Sequence, residues 1–101
     1  MNVQLEQIEV ILGRVERLAL QLCADPNGDV RRSAIQLRDA FETRRAIEPA
    51  VALMLDRIRA VRNTHDGPRR EFQRRAPGLD RLEHVIAWDL LPQLRRVGFD
   101  V

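Results

Sequence analysis

VRRSAIQLRDAFETRRAIEPAVALMLDRIRAV, residues 30–61, decides how this chain folds. Apolar residues recur there at steps of four and three. They are Val30, Ala34, Leu37 and Phe41, then, past a polar interval, Val51, Leu55 and Ile58, with Ala40, Ile47, Met54 and Val61 beside them. This is the period of a helix and not the alternation of a strand. The stripe slides backwards by roughly 20° per heptad, as a 3.5-residue repeat does on a straight helix, so a slight left-handed supercoil with neighbouring helices is expected. Pro49 interrupts the run, and inside a helix it costs about 3 kcal/mol through a lost hydrogen bond and a clash with the preceding turn. Residues 43–48 hold no Gly, Asn or Asp to turn the chain, and the heptad phase runs on through Leu37, Arg44, Val51 and Ile58. The spacing therefore predicts one long helix over 30–64 that bends at Pro49. A reversal at that point would favour a compact four-helix bundle instead.

Outward from this stretch, a first helix is expected over about 2–24, with Asn2 as N-cap and an apolar face formed by Leu5, Ile8, Leu12, Val15, Ala19 and Leu22. Ile11 and Leu18 widen that face enough to touch two neighbours. Gly13 inside it suggests close approach of another backbone. Asp25-Pro26-Asn27-Gly28-Asp29 stops the helix with turn chemistry, and Asp29 is placed to cap the next one. After Asp66-Gly67-Pro68 comes the basic segment Arg69-Arg70-Glu71-Phe72-Gln73-Arg74-Arg75, readable as a short helix or an exposed loop. A last helix over 79–97 carries Leu79, Leu82, Ile86, Leu90, Leu94 and Val97 on one face, with a bend at Pro92. The long helix would measure about 48 Å and its two partners about 30 Å each. The fold expected is a single all-α domain over 1–101, an elongated antiparallel three-helix bundle with a kinked central helix. Apolar surface left uncovered at its ends points to a homodimer.

Composition narrows the chemistry. All 17 basic residues are arginine, and neither lysine nor tyrosine occurs. Schiff-base lysines, lysine phosphate clamps and tyrosine acids are thereby excluded. The enrichment in Arg, Ala, Val, Leu, Asp and Pro together suggests a GC-rich coding bias. Net charge is only +2, and residues 69–75 hold four arginines against Glu71, so attraction to polyanions would be local. Cys23 stands alone among apolar residues and reads as an inert thiol. With no signal pattern and no long apolar run, a cytoplasmic protein without membrane contact is expected.

Candidate sites follow from spacing. Arg44 and Glu48, four apart within the apolar stripe, read as a polar layer that sets helix register or dimer pairing. Arg69, Arg70, Arg74 and Arg75 could bind nucleic acid or another anion weakly, with Phe72 available for stacking. On the last helix Arg81, His84, Trp88, Leu91 and Arg95 follow steps of three and four, form a second stripe away from the core, and include the only tryptophan. Tryptophan and arginine are enriched at interface hot spots, so this stripe is the expected contact surface. Asp80 and His84 suggest a surface hydrogen bond; no metal or cofactor site and no catalytic constellation is indicated. Arg59, Arg62-Asn63 and His65 resemble the arginine-to-histidine motif of the HEPN ribonucleases, an all-helical dimeric family, although an Arg-Asn start leaves only Asn63 and Thr64 before His65. The resemblance would imply ribonuclease activity. The function expected is that of a helical protein-interaction module (an adaptor, small chaperone-like subunit or regulatory partner), similar in outline to small cytoplasmic bacterial chaperones. Anion binding is the alternative and a HEPN-like nuclease the third reading.

Overall fold

The structure, a computed structural model, describes residues 3–98, and every regular element among them is helical. Helices α1 (Val3–Leu22), α2 (Gly28–Thr43), α3 (Ile47–Thr64) and α4 (Arg69–Arg75) are followed by α5 (Pro77–His84), a π-helical segment (Val85–Leu90) and α6 (Leu91–Arg96). The last three run on without a break and form one closing helix, because the backbone stays right-handed helical from His84 through Leu91. No helix among the described residues is long and apolar enough to cross a membrane. The proposed N-cap, Asn2, lies outside the described residues.

The long helix is not continuous. Arg44 and Ala46 take the left-handed conformation, at φ 55° and 54°, and the chain turns back between α2 and α3. The Arg44 and Arg45 amides both donate to the Ala40 carbonyl, which closes the end of α2 without a glycine. Pro49 then occupies the third position of α3, where a backbone N–H has no helical partner to lose, so the proline costs nothing there and marks a helix start. Glu48 in the same first turn favours the positive end of the helix dipole. Gln36 and Ala40 of α2 share a cavity wall with Ala50 and Leu53 of α3, as two antiparallel helices joined by a tight turn require.

A four-helix bundle results in place of the three-helix one. α1 packs against α2 and the closing helix, and α3 packs against the same two from the other side. The wide face of α1 thus does meet two neighbours. The bundle measures 46 × 26 × 20 Å, so it remains elongated even without a 48 Å helix. Its core draws Val15 and Ala19 from α1, Val30, Ala34 and Leu37 from α2, Val51, Met54 and Ile58 from α3, and Leu82, Ile86 and Leu90 from the closing helix. Each fully buried Leu, Ile or Met contributes about 1.5–3 kcal/mol. Arg44, the member of the heptad phase between Leu37 and Val51, is exposed in the linker. With the chain reversed between α2 and α3, the phase that their two stripes share is a coincidence of spacing.

Local chemistry explains the remaining ends. Asn27, not Asp29, caps α2: its Oδ1 accepts from the Asp29 and Val30 amides at 3.0 and 3.1 Å. Asp25 Oδ1 accepts from the Asn27 amide at 2.9 Å and fixes the turn before it. Residues 69–75 are helical because Phe72 reaches the core, where it is 3% exposed. At Pro92 the missing amide and the ring's demand on the previous turn coincide with the π-helical segment just upstream, whose wider turn relieves that clash. Gly13 meets no approaching backbone; a Cβ there would touch only the Arg17 guanidinium, at 3.7 Å.

These geometries give two expected outcomes in urea unfolding. Arg44→Gly should stabilise the protein by roughly 0.5–1 kcal/mol, since it releases a left-handed penalty that exceeds the entropy cost of glycine. A lower midpoint would contradict the left-handed end of α2. Gly13→Ala should also stabilise by about 0.5–1 kcal/mol, whereas a loss would mean that something presses on that face of α1.

Candidate functional site

The expected stripe on the closing helix is largely at the surface. Arg81, His84, Trp88 and Arg95 are exposed and Leu91 is half-buried. Trp88 is 69% exposed, an unusual cost for the largest apolar side chain in the sequence. His84, Trp88, Leu91 and Arg95 line one cavity together. Arg81 does not join them. It lines a separate hollow with Arg14, Arg17 and Leu18 of α1.

The cavity shared by the four has a volume of about 350 Å³. Across it stand Arg59 and Arg62, three residues apart and therefore on one face of α3, and Arg69 at the start of α4. Its floor is Glu83, whose side chain is 6% exposed. Arg59 Nε donates to Glu83 Oε2 at 3.4 Å, and Arg62 Nη1 donates to both carboxylate oxygens. A buried carboxylate survives only with charged donors against it, so this cluster clamps α3 to the closing helix and holds two guanidiniums at the cavity wall. Among the described residues, Arg59, Arg62, Arg69, Arg95 and Glu83 are the charged lining of this cavity. Sequence reading missed Glu83, although the signal was present: it lies four residues after Leu79 and flanks the core stripe, where a carboxylate has to find a cation.

On the other side of Trp88 a second cavity, of about 590 Å³, opens between α1 and the closing helix. Val10, 63% exposed, and Ile11 supply its apolar wall from α1, and Trp88 and Pro92 supply it from the closing helix. Glu6, Arg14, Asp89 and Arg96 rim it with both signs of charge. Arg14 Nη1 and Asp89 Oδ2 pair across it at 3.6 Å. The indole ring stands on the ridge between the two cavities, with the His84 ring 6.2 Å from it and tilted by 36°.

Other candidates are dispersed. Arg44 is in the α2–α3 linker and Glu48 in the first turn of α3, so they form no layer on one helix. Arg69, Arg70, Arg74 and Arg75 are exposed, and Glu71 accompanies Arg74 at 3.9 Å. Phe72 is not available for stacking, because its ring is in the core with the His65 ring 5.7 Å away. His65 caps α3 and lines neither cavity, while Arg59 and Arg62 of the same motif turn to Glu83. Asp80 makes no hydrogen bond through its buried Oδ1, so it is not paired through that atom with His84. The Cys23 thiol is half-buried and donates to the Ala19 carbonyl at 3.5 Å. No family model, curated protein or solved structure matches the chain.

The clamp can be tested apart from any ligand. Arg62→Ala should cost about 2 kcal/mol of folding stability, because it leaves a buried carboxylate with only the longer Arg59 contact, and Arg59→Ala should cost about half as much. Equal, negligible losses by chemical denaturation would show that Glu83 is not held in this way.

Proposed function

We propose that this protein is a helical protein-interaction module that associates with a second copy of itself through the face between α1 and the closing helix. One observation carries the reading: Val10 and Trp88, 63% and 69% exposed, flank a groove of about 590 Å³ between two helices whose core faces are already filled. Exposed apolar side chains scattered singly are ordinary, but a tryptophan and a valine on either side of an apolar groove form a contiguous patch. The rim favours self-pairing over a partner of one charge. Glu6 and Asp89 face Arg14 and Arg96 around the same opening, so a two-fold related copy can set each sign against its opposite. The helix ends, which the three-helix arrangement would have left uncovered, supply no reason for a dimer once α3 folds back. The reason shifts to this lateral face.

Static light scattering over a dilution series, with urea unfolding alongside, tests the proposal. Trp88→Ala should weaken association by roughly 2 kcal/mol and leave folding of the monomer almost unchanged. A core aromatic would instead cost about 3–5 kcal/mol of stability. A protein that stays monomeric at every concentration, or a Trp88→Ala variant that associates as before, would contradict it.

A further inference from the structure

We propose that the hollow between the C-terminal half of α1 and α5 binds a phosphate monoester, held between the guanidiniums of Arg17 and Arg81. Arg14, Arg17, Leu18 and Gln21 line it from α1, and Arg81 and Val85 line it from the closing helix. Among the described residues no carboxylate shares this lining. Arg14 is answered by Asp89, which belongs to the neighbouring groove. Arg17 and Arg81 have no such answer, since among the described residues neither makes an ion pair or a hydrogen bond through its side chain. Helices that pack through their apolar faces thus bring two uncompensated positive charges to the sides of one hollow. Like charges so placed repel, and a doubly charged anion between them replaces one repulsion with two attractions.

The hollow is bounded as well as charged. Toward the end of α1 the two helices come so close that a Cβ on Gly78 would stand 3.5 Å from the Leu22 side chain, and toward the middle of α1 the Arg14 and Asp89 side chains meet at 3.6 Å. Between these limits lies a volume of about 350 Å³, at the small end of the range for small-molecule sites. Val85 is buried and Leu18 half-buried, so the floor is apolar and keeps water from one side of a bound anion, which strengthens its attraction to the guanidiniums. Gln21, four residues after Arg17 and so on the same face of α1, adds an amide donor.

Charge selects the class of phosphate. A monoester carries about −1.5 to −2 near neutral pH and balances two guanidiniums, whereas a diester carries a single charge and balances one. Planar guanidiniums also donate in pairs to phosphate oxygens. The apolar floor leaves the organic part of the ester a surface to lie on. Such a group arrives either on a small molecule or on a phosphorylated side chain of a protein. The assignment does not depend on self-association, because Val10 and Trp88 are absent from this lining and Arg17 and Arg81 are absent from the groove they flank.

The full chain is titrated at low salt with phenyl phosphate, with methyl phenyl phosphate and with a short phosphotyrosine peptide, by calorimetry and by NMR of the arginine Nε–H signals. Phenyl phosphate should bind saturably and shift the signals of Arg17 and Arg81, and methyl phenyl phosphate, with the same ring and one charge fewer, should bind roughly tenfold more weakly or worse. Both arginines are exposed, so Arg17→Ala/Arg81→Ala should keep its circular dichroism and urea midpoint while losing at least about tenfold in phenyl phosphate affinity. Val10→Asp should bind as the parent does, so that loss of the dimer face and loss of this site are told apart. Tighter binding of the peptide than of phenyl phosphate would support a phosphorylated protein as the source, and the reverse would support a free ester. Absence of phenyl phosphate binding, a methyl ester that binds as tightly, an unchanged affinity in the double variant, or an equal loss in Val10→Asp would overturn the assignment.

Discussion

A helix of sixteen residues, α2, must be followed at once by another that buries its own face in the same core, and three residues without a glycine have to make the reversal. Arg44 and Ala46 do so in the left-handed conformation, at a penalty of about 1–2 kcal/mol each. What offsets it is the burial of Val51, Met54, Leu55 and Ile58, which α3 can reach only by lying back against α2. Everything else takes its place from that reversal. With α3 beside α2, a cleft remains on the far side, and the closing helix fills it between α1 and α3. α4 spans part of the return path and anchors it through Phe72.

Both cavities are consequences of how the closing helix fits that cleft. Its core residues, from Leu79 to Leu94, keep to one side, but Pro92 cannot continue an ordinary helix, and the π-helical segment before it widens the turn. Trp88 belongs to that segment and faces away from the core. Glu83, one turn earlier, faces inward and is balanced by arginines from α3. One helix therefore carries a buried charge that fixes its position and an exposed ring that stands between an apolar groove and an arginine-lined cavity. A buried ion pair is poor evidence of stability in itself, since hydrophobic replacements often do as well. Its value here is positional, because it holds two guanidiniums at one wall.

Much of this was legible in the sequence. Periodicity gave the helical class, the core face of the closing helix as far as Leu94 and the two-sided contact of α1, whereas the exposure of Trp88 is decided by the structure. Pro49 was readable too, as the third residue of a helix, but the preserved heptad phase and the absence of turn residues outweighed it. A stripe records which residues face the core, not whether one helix or two supply them. Asn27 and Asp29 were both eligible caps, and only geometry chose between them. Glu83 was missed because polar residues beside a stripe are ordinary, and the partners that make this one special come from 21 and 24 residues away. Phe72 was misread because one apolar residue in a basic run gives no period.

Trp88 ties the architecture to the proposed function: it is exposed in the single chain, and the proposed self-association covers it. As the only tryptophan, it can be watched without labels by recording its emission spectrum and its quenching by acrylamide as the protein is concentrated. In dilute solution the expected result is the spectrum of indole in water, and full quenching, with a shift to shorter wavelength and growing protection as concentration rises. A short-wavelength, protected spectrum at every dilution would place the ring in its own core, and a water-like spectrum that never changes would remove the contact surface.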